Sequence, residues 1–161
     1  MLVIIFNRNC RVFDNQFLKG LASQTVPLDL LIMSQKEHVK KPEDREWLRQ
    51  KALAEYPNDR YFLLLNSDVI FETEKDVQEL VDYLDKTKEY GAIAYFTRRG
   101  KNLAPEHVDI ACMLIRKELL MQISFIQNPR MHCTCNHIRE QAKGLGYKVG
   151  YIPDRRLKDY V

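Results

Sequence analysis

Short, continuous apolar runs that alternate with segments of helical spacing limit what this chain can fold into. Leu2 to Phe6 is rich in β-branched residues and stops at the polar turn Asn7-Arg8-Asn9, as a buried parallel strand does. Arg11 to Ser23 places Phe13, Phe17, Leu18 and Leu21 on one helical face, and Leu28 to Met33, interrupted only by Asp29, resumes the strand pattern after Pro27. Pro42, Glu43 and Asp44 suit a first helical turn, and Trp47, Leu48, Lys51 and Ala52 continue it to about Tyr56. Tyr61 to Leu65 is the next solid run, interrupted at Asn66-Ser67-Asp68 and resumed by Val69-Ile70-Phe71.

Thr73 and Asp76 mark the start of the clearest helix, in which Val77, Leu80, Val81 and Leu84 recur at i, i+3, i+4 and i+7 before Gly91. Ala92 to Phe96 reads as a strand, Arg98 to Pro105 as a basic loop, Val108 to Ile115 as a strand, Lys117 to Ile123 and Ile138 to Leu145 as helices, and Tyr147 to Ile152 as a last strand. Strands alternating with helices predict one α/β domain over residues 1–161, a three-layer α/β/α sandwich whose mostly parallel sheet has an antiparallel strand late in the chain.

With 161 residues, 45% hydrophobic and 29% charged, the chain has the apolar content for a core and is no disordered segment. A net charge of +3 without long basic runs argues against a nucleic-acid surface. Leu2 to Phe6 is too short for a transmembrane helix or a signal-peptide core, so a cytoplasmic location is expected, with Cys10, Cys112, Cys133 and Cys135 as reduced thiols.

In sheets of this kind ligands bind beyond the carboxyl ends of the strands, which directs attention to Asn7 to Asn9, Ser34 to Lys41 and Asn66 to Asp68. Neither a Gly-x-Gly-x-x-Gly nor a P-loop pattern occurs, so dinucleotide and P-loop triphosphate chemistry are not expected. Asp68, flanked by Asn66 and Ser67 at the end of a buried strand, offers oxygens suited to a hard divalent cation bound with a diphosphate, and Arg8, Arg45, Arg49, Arg98 and Arg99 are candidate diphosphate contacts.

The order of the segments resembles a family 2-type glycosyltransferase of the GT-A fold over nearly the full length. Phe6-Asn7-Arg8 resembles that family's opening strand and turn, and Leu63 to Val69 resembles the strand ending in its Asp-x-Asp signature, with only the second Asp present, as Asp68. Val108 to Lys117 is similar to the acceptor-side strand, and Gly146 to Asp154 to the closing Gly-Tyr, apolar strand and Pro. The resemblance implies a nucleoside-diphosphate sugar donor held by Phe6, Asn7, Arg8, Asn66, Ser67 and Arg49, Mn2+ or Mg2+ at Asp68 with Asp159 as a second metal ligand, and a hydroxyl acceptor.

The sequence departs from the family where a catalytic carboxylate is expected, because Met131 to His137 contains no Asp or Glu. A base must take the acceptor proton in an inverting transfer, and His132, His137 and Asp109 are the candidates, since a neutral imidazole accepts a proton near pH 7. His132, Cys133, Cys135 and His137 also read as zinc ligands, although so compact a run does not easily wrap a tetrahedron. A non-catalytic nucleotide-binding or scaffold protein is the alternative reading, and a nucleotidyltransferase the weaker third. The chain is short for the resembled family, which leaves room for a second subunit, as in a homo-oligomer, to complete the acceptor side.

Overall fold

The computed structural model describes residues 1–8, 12–35, 42–97, 108, 110–126 and 133–159. Among these residues seven strands and five helices follow one another as β1 (Leu2–Arg8), α1 (Asn15–Ala22), β2 (Asp29–Gln35), α2 (Pro42–Glu55), β3 (Tyr61–Asn66), β4 (Val69–Ile70), α3 (Asp76–Lys86), β5 (Tyr90–Thr97), β6 (Cys112–Arg116), α4 (Lys117–Gln122), α5 (Thr134–Gly144) and β7 (Lys148–Asp159). Six strands form the main sheet in the order β2-β1-β3-β6-β5-β7, and β4 adds to the far end of β7. β6 runs antiparallel to both β3 and β5, whereas β1 pairs parallel with β2 and β3, and β5 pairs parallel with β7.

Because side chains alternate across a strand, the apolar runs line both faces. Leu2, Ile4, Phe6, Phe62, Leu64 and Met113 pack under α2, α4 and α5, and Val3, Ile5, Leu63, Leu65 and Leu114 pack under α1 and α3. The three-layer sandwich expected from the alternation is therefore present.

Several element boundaries differ from the sequence expectation. α1 starts at Asn15, where Asp14 accepts from the Gln16 N–H, and of its expected apolar face only Phe17 and Leu21 are buried while Leu18 is exposed. Leu48 and Ala52 bury the inner face of α2, yet Trp47 faces solvent with the Lys51 ammonium 5.5 Å from its ring centroid. α5 begins at Thr134, well before Ile138, because the Cys133 sulfur caps it by accepting from the Asn136 N–H. The Asn66-Ser67-Asp68 triplet ends a strand, and Val69–Ile70 leaves the β3 line to pair with β7. β7 continues past Pro153 to Asp159, since its pairing with β5 skips from Ala94↔Tyr151 to Phe96↔Arg156 and the proline sits in that irregularity, where no ladder N–H is needed.

Candidate functional site

β1 and β3 end side by side, with Phe6 paired to Asn66, so the polar residues that stop both apolar runs meet at the carboxyl edge of the sheet. Asn7 and Asn66 are both buried, and the turn between them is stitched in three places. The Ser67 N–H donates to the Phe6 carbonyl at 3.3 Å, the Ser67 hydroxyl donates to Asn7 Oδ1 at 3.3 Å, and the Asn66 N–H donates to the Ala111 carbonyl at 2.8 Å. Asp68 follows in the same turn, half-buried. The antiparallel pairing of β4 with β7 sets the backbone of Asp159 opposite Val69, one residue from Asp68. Two carboxylate-bearing positions far apart in sequence are thereby neighbours in the backbone. Among the described residues no three His, Cys, Asp or Glu side chains gather as a metal-holding group.

The same edge is roofed on the α2 and α5 side. α2 and α5 each run back against a parallel strand, so both helices begin at the carboxyl edge. Arg45, in the first turns of α2, is buried; its guanidinium lies 5.4 Å from the Phe6 ring centroid and donates to the Thr134 hydroxyl. His137 lies in the first turn of α5, and its Nε2 atom is buried without a hydrogen-bond partner among the described residues. Cys133 and Cys135, neither of them in a disulfide, lie on the same turn. Asp109 and His132 lie outside the described residues, and Arg8 and Asp159 are placed by their backbones, in β1 and β7.

Arg49, expected among the diphosphate contacts, lies on α2 beyond Arg45 and is bonded to Glu46 and Leu120. It sits about one helical turn, roughly 5.4 Å, farther along α2 toward the amino ends of the strands. Its Nε donates to both Glu46 carboxylate oxygens at 3.1 and 3.0 Å, its Nη2 donates to Glu46 as well, and its Nη1 donates to the Leu120 carbonyl at 2.8 Å. Arg49 thus ties α2 to the end of α4, and it borders an open groove of about 500 Å³ with Leu53, Pro57, Lys117 and Met121. Glu46 also accepts from the Phe125 N–H at 2.7 Å and the Ser124 hydroxyl at 3.2 Å. Burial works to raise the Glu46 pKa, but the hydrogen bonds from Arg49, Phe125 and Gln50 and the Arg49 charge overcome it and pull the pKa down to about 2.

Glu46 escaped the sequence reading, although Glu46 and Arg49 stand at the i,i+3 spacing of a helical ion pair. The Arg45–Phe6–Thr134 contact joins three segments that no local pattern connects.

Solved structures share this fold. A mannosyltransferase from Pyrobaculum calidifontis, in complex with GDP-Man and Mn2+, matches 98% of this chain and 56% of its own at a TM-score of 0.64 and 12% identity. Glucosyl-3-phosphoglycerate synthase from Mycobacterium tuberculosis, in complex with Mn2+, UDP and phosphoglyceric acid, matches 98% of this chain and 69% of its own, with a TM-score of 0.55 and 13% identity. A glycosyltransferase involved in the glycosylation of the major capsid of PBCV-1 matches 98% of this chain and 81% of its own, with a TM-score of 0.54 and 12% identity.

The fold is GT-A.

No protein-family model matches the sequence, and a comparison with curated proteins finds no match. At 12–13% identity the likeness is one of fold, and the GT-A fold here spans little more than half of the mannosyltransferase chain. Within this GT-A sheet the Asn66-Ser67-Asp68 turn stands at the carboxyl edge, the place where open α/β sheets take ligands. No helix among the described residues is long and apolar enough to cross a membrane.

Proposed function

We propose that this GT-A domain binds a nucleoside-diphosphate sugar with a divalent cation and transfers the sugar to a hydroxyl acceptor. The observation that carries the reading is the stitched Asn66-Ser67-Asp68 turn, locked to Phe6 and Asn7 and backed by the Asp159 position across β4 and β7. Phe6, Asn7, Arg8, Asn66 and Ser67 form the donor side, and Arg45, whose guanidinium lies against the Phe6 ring, joins Arg49 as a candidate diphosphate contact. The solved structures with GDP-Man and Mn2+ and with UDP and Mn2+ support a cation and a nucleotide as the ligands to test first.

At the turn a hard cation would be held by the Asp68 carboxylate and diphosphate oxygens, with Asp159, whose backbone pairs opposite Val69, as the candidate second ligand. When bound, Mn2+ or Mg2+ draws charge off the departing diphosphate. The chain's own residues hold the donor at the edge, and a base removes the acceptor proton as its oxygen attacks the anomeric carbon. His132, His137 and Asp109 remain the candidates for that base.

A specific observation favours a second reading, a nucleotide-binding protein without transfer. His137 Nε2 is buried, and the described start of α5 carries no carboxylate. Titration calorimetry with UDP, GDP and their sugars, with manganese or with chelator, tests binding, and a labelled-sugar assay on the same samples tests turnover. Manganese-dependent heat with sugar release or transfer supports the enzyme, heat without turnover supports the binding protein, and no heat across the panel overturns both.

A further inference from the structure

We propose that Arg45 is a positioning residue for sugar transfer, acting through Thr134 to set where the first turn of α5, and His137 on it, stands against the donor end of β1. The inference rests on the transfer reading and adds the group that ties the nucleotide side of the edge to the side where the acceptor proton is taken.

A chain of contacts links the two sides. The Ser67 N–H of the Asn66-Ser67-Asp68 turn donates to the Phe6 carbonyl at 3.3 Å, and the ring centroid of the same Phe6 lies 5.4 Å from the Arg45 guanidinium. Arg45 donates through Nη1 to the Thr134 hydroxyl, and Thr134 and His137 stand at i,i+3 on α5, which makes them neighbours on one face of the helix. Phe6, Arg45 and Thr134 are all buried, so water competes little for these contacts, and a guanidinium keeps its charge throughout the working pH range. The helix start needs such a hold. Its cap is the Cys133 sulfur, which accepts from the Asn136 N–H at 3.3 Å while the His137 N–H reaches the Cys133 carbonyl at 3.2 Å, and a thiol is a weaker acceptor than the oxygens that usually cap helices.

Of the three base candidates His137 is the one within the described residues. Its Nε2 is buried without a hydrogen-bond partner among those residues, and a buried nitrogen left in that state costs roughly 1–3 kcal/mol. A hydroxyl entering the edge would satisfy it. The acceptor O–H then gives its proton to Nε2 as the oxygen bonds the anomeric carbon, and the bond from that carbon to the diphosphate breaks with its electron pair leaving on the diphosphate. Proton transfer of this kind needs heavy atoms about 2.6–3.2 Å apart, so a displacement of the α5 turn by about 1 Å is enough to slow it. Arg45 fixes that turn to Phe6, the residue to which the donor turn is also stitched.

Thr134→Val replaces the accepting hydroxyl by a methyl group, and Thr134→Ser keeps the hydroxyl. On the full chain and both variants, sugar release from UDP and GDP sugars with manganese, nucleotide affinity by calorimetry and amide hydrogen exchange are measured together. Thr134→Val is expected to lower kcat at least about tenfold with nucleotide affinity within about twofold of the unaltered chain, and Thr134→Ser to restore it. Exchange of the Asn136 and His137 amides should quicken in Thr134→Val while that of β1 and α2 stays the same. Arg45→Lys keeps the charge and loses the planar fork, so adding Thr134→Val to it should lower kcat no further, both changes breaking one contact. Should Thr134→Val not fold, Arg45→Lys decides by the same readouts. A chain that releases sugar and is unaffected by Thr134→Val overturns the inference alone, as does a loss of nucleotide affinity that matches the loss in kcat, or exchange that quickens throughout the fold. No sugar release by the unaltered chain overturns the transfer reading, and the inference falls with it.

Discussion

Asp68 sits in a turn in which Ser67 and Asn66 make bonds to β1 and to Ala111. Asp68→Ala should abolish manganese-dependent nucleotide heat, and unchanged nucleotide affinity would sink the metal assignment. Glu46 is a carboxylate that ties α2 to the segment after α4 through Ser124 and Phe125. Its pKa falls from 4.5 in the unfolded chain to about 2 in the fold, so its stabilisation is complete above pH 4.5 and is lost as the pH falls toward 2. The linked contribution is on the order of 3 kcal/mol. Glu46→Gln should remove that acid-side dependence from urea midpoints and cost roughly 2–4 kcal/mol at neutral pH, because the buried Arg49 loses its charge partner. The arginine assignments show where a sequence stops being readable. Arg45 and Arg49 differ by one turn of one helix, and only the packing of α2 decides that the first meets Phe6 and Thr134 and the second Glu46 and Leu120.

Among the elements, close approach is concentrated where β5 passes beneath α4 and the start of β7. A Cβ on Gly91 would stand 2.6 Å from Leu119 Cδ2 and 2.9 Å from Tyr147 Cγ. The leucine tip can turn aside, but the tyrosine ring root cannot, so Gly91→Ala should destabilise by about 1–3 kcal/mol in chemical denaturation. A variant as stable as the parent would mean that β5 and the Tyr147 segment are less tightly apposed than described. The strands and most helices were legible because buried parallel strands read as solid apolar runs and α3 carries a clean i, i+3, i+4, i+7 pattern that buries Val77, Leu80 and Leu84. What escaped was long-range. The β4–β7 pairing rests on a two-residue strand and on a strand that passes through a proline, and neither leaves a periodic signal. The start of α5 escaped because its cap is a cysteine sulfur, outside the Ser, Thr, Asp and Asn group that marks helix starts.

At the scale of the whole molecule, the candidate site draws on segments that only the finished sheet brings together: the ends of β1 and β3, the turn before β4, and the end of β7. A ligand that binds this assembled edge and not the unfolded chain must stabilise the fold by mass action. At a concentration about 100 times its dissociation constant the gain is about 2.7 kcal/mol, which for a domain of this size raises the melting temperature by roughly 5–10 °C. UDP or GDP with manganese is expected to produce that shift, and chelator to erase it. Asp68→Ala should also erase it, whereas Arg49→Lys should leave the ligand-induced shift in place even though the loss of its forked contacts to Glu46 and Leu120 lowers the starting melting temperature. Nucleotide shifts that survive Asp68→Ala but vanish in Arg49→Lys would move the binding site from the carboxyl edge to the groove at the other end of the strands.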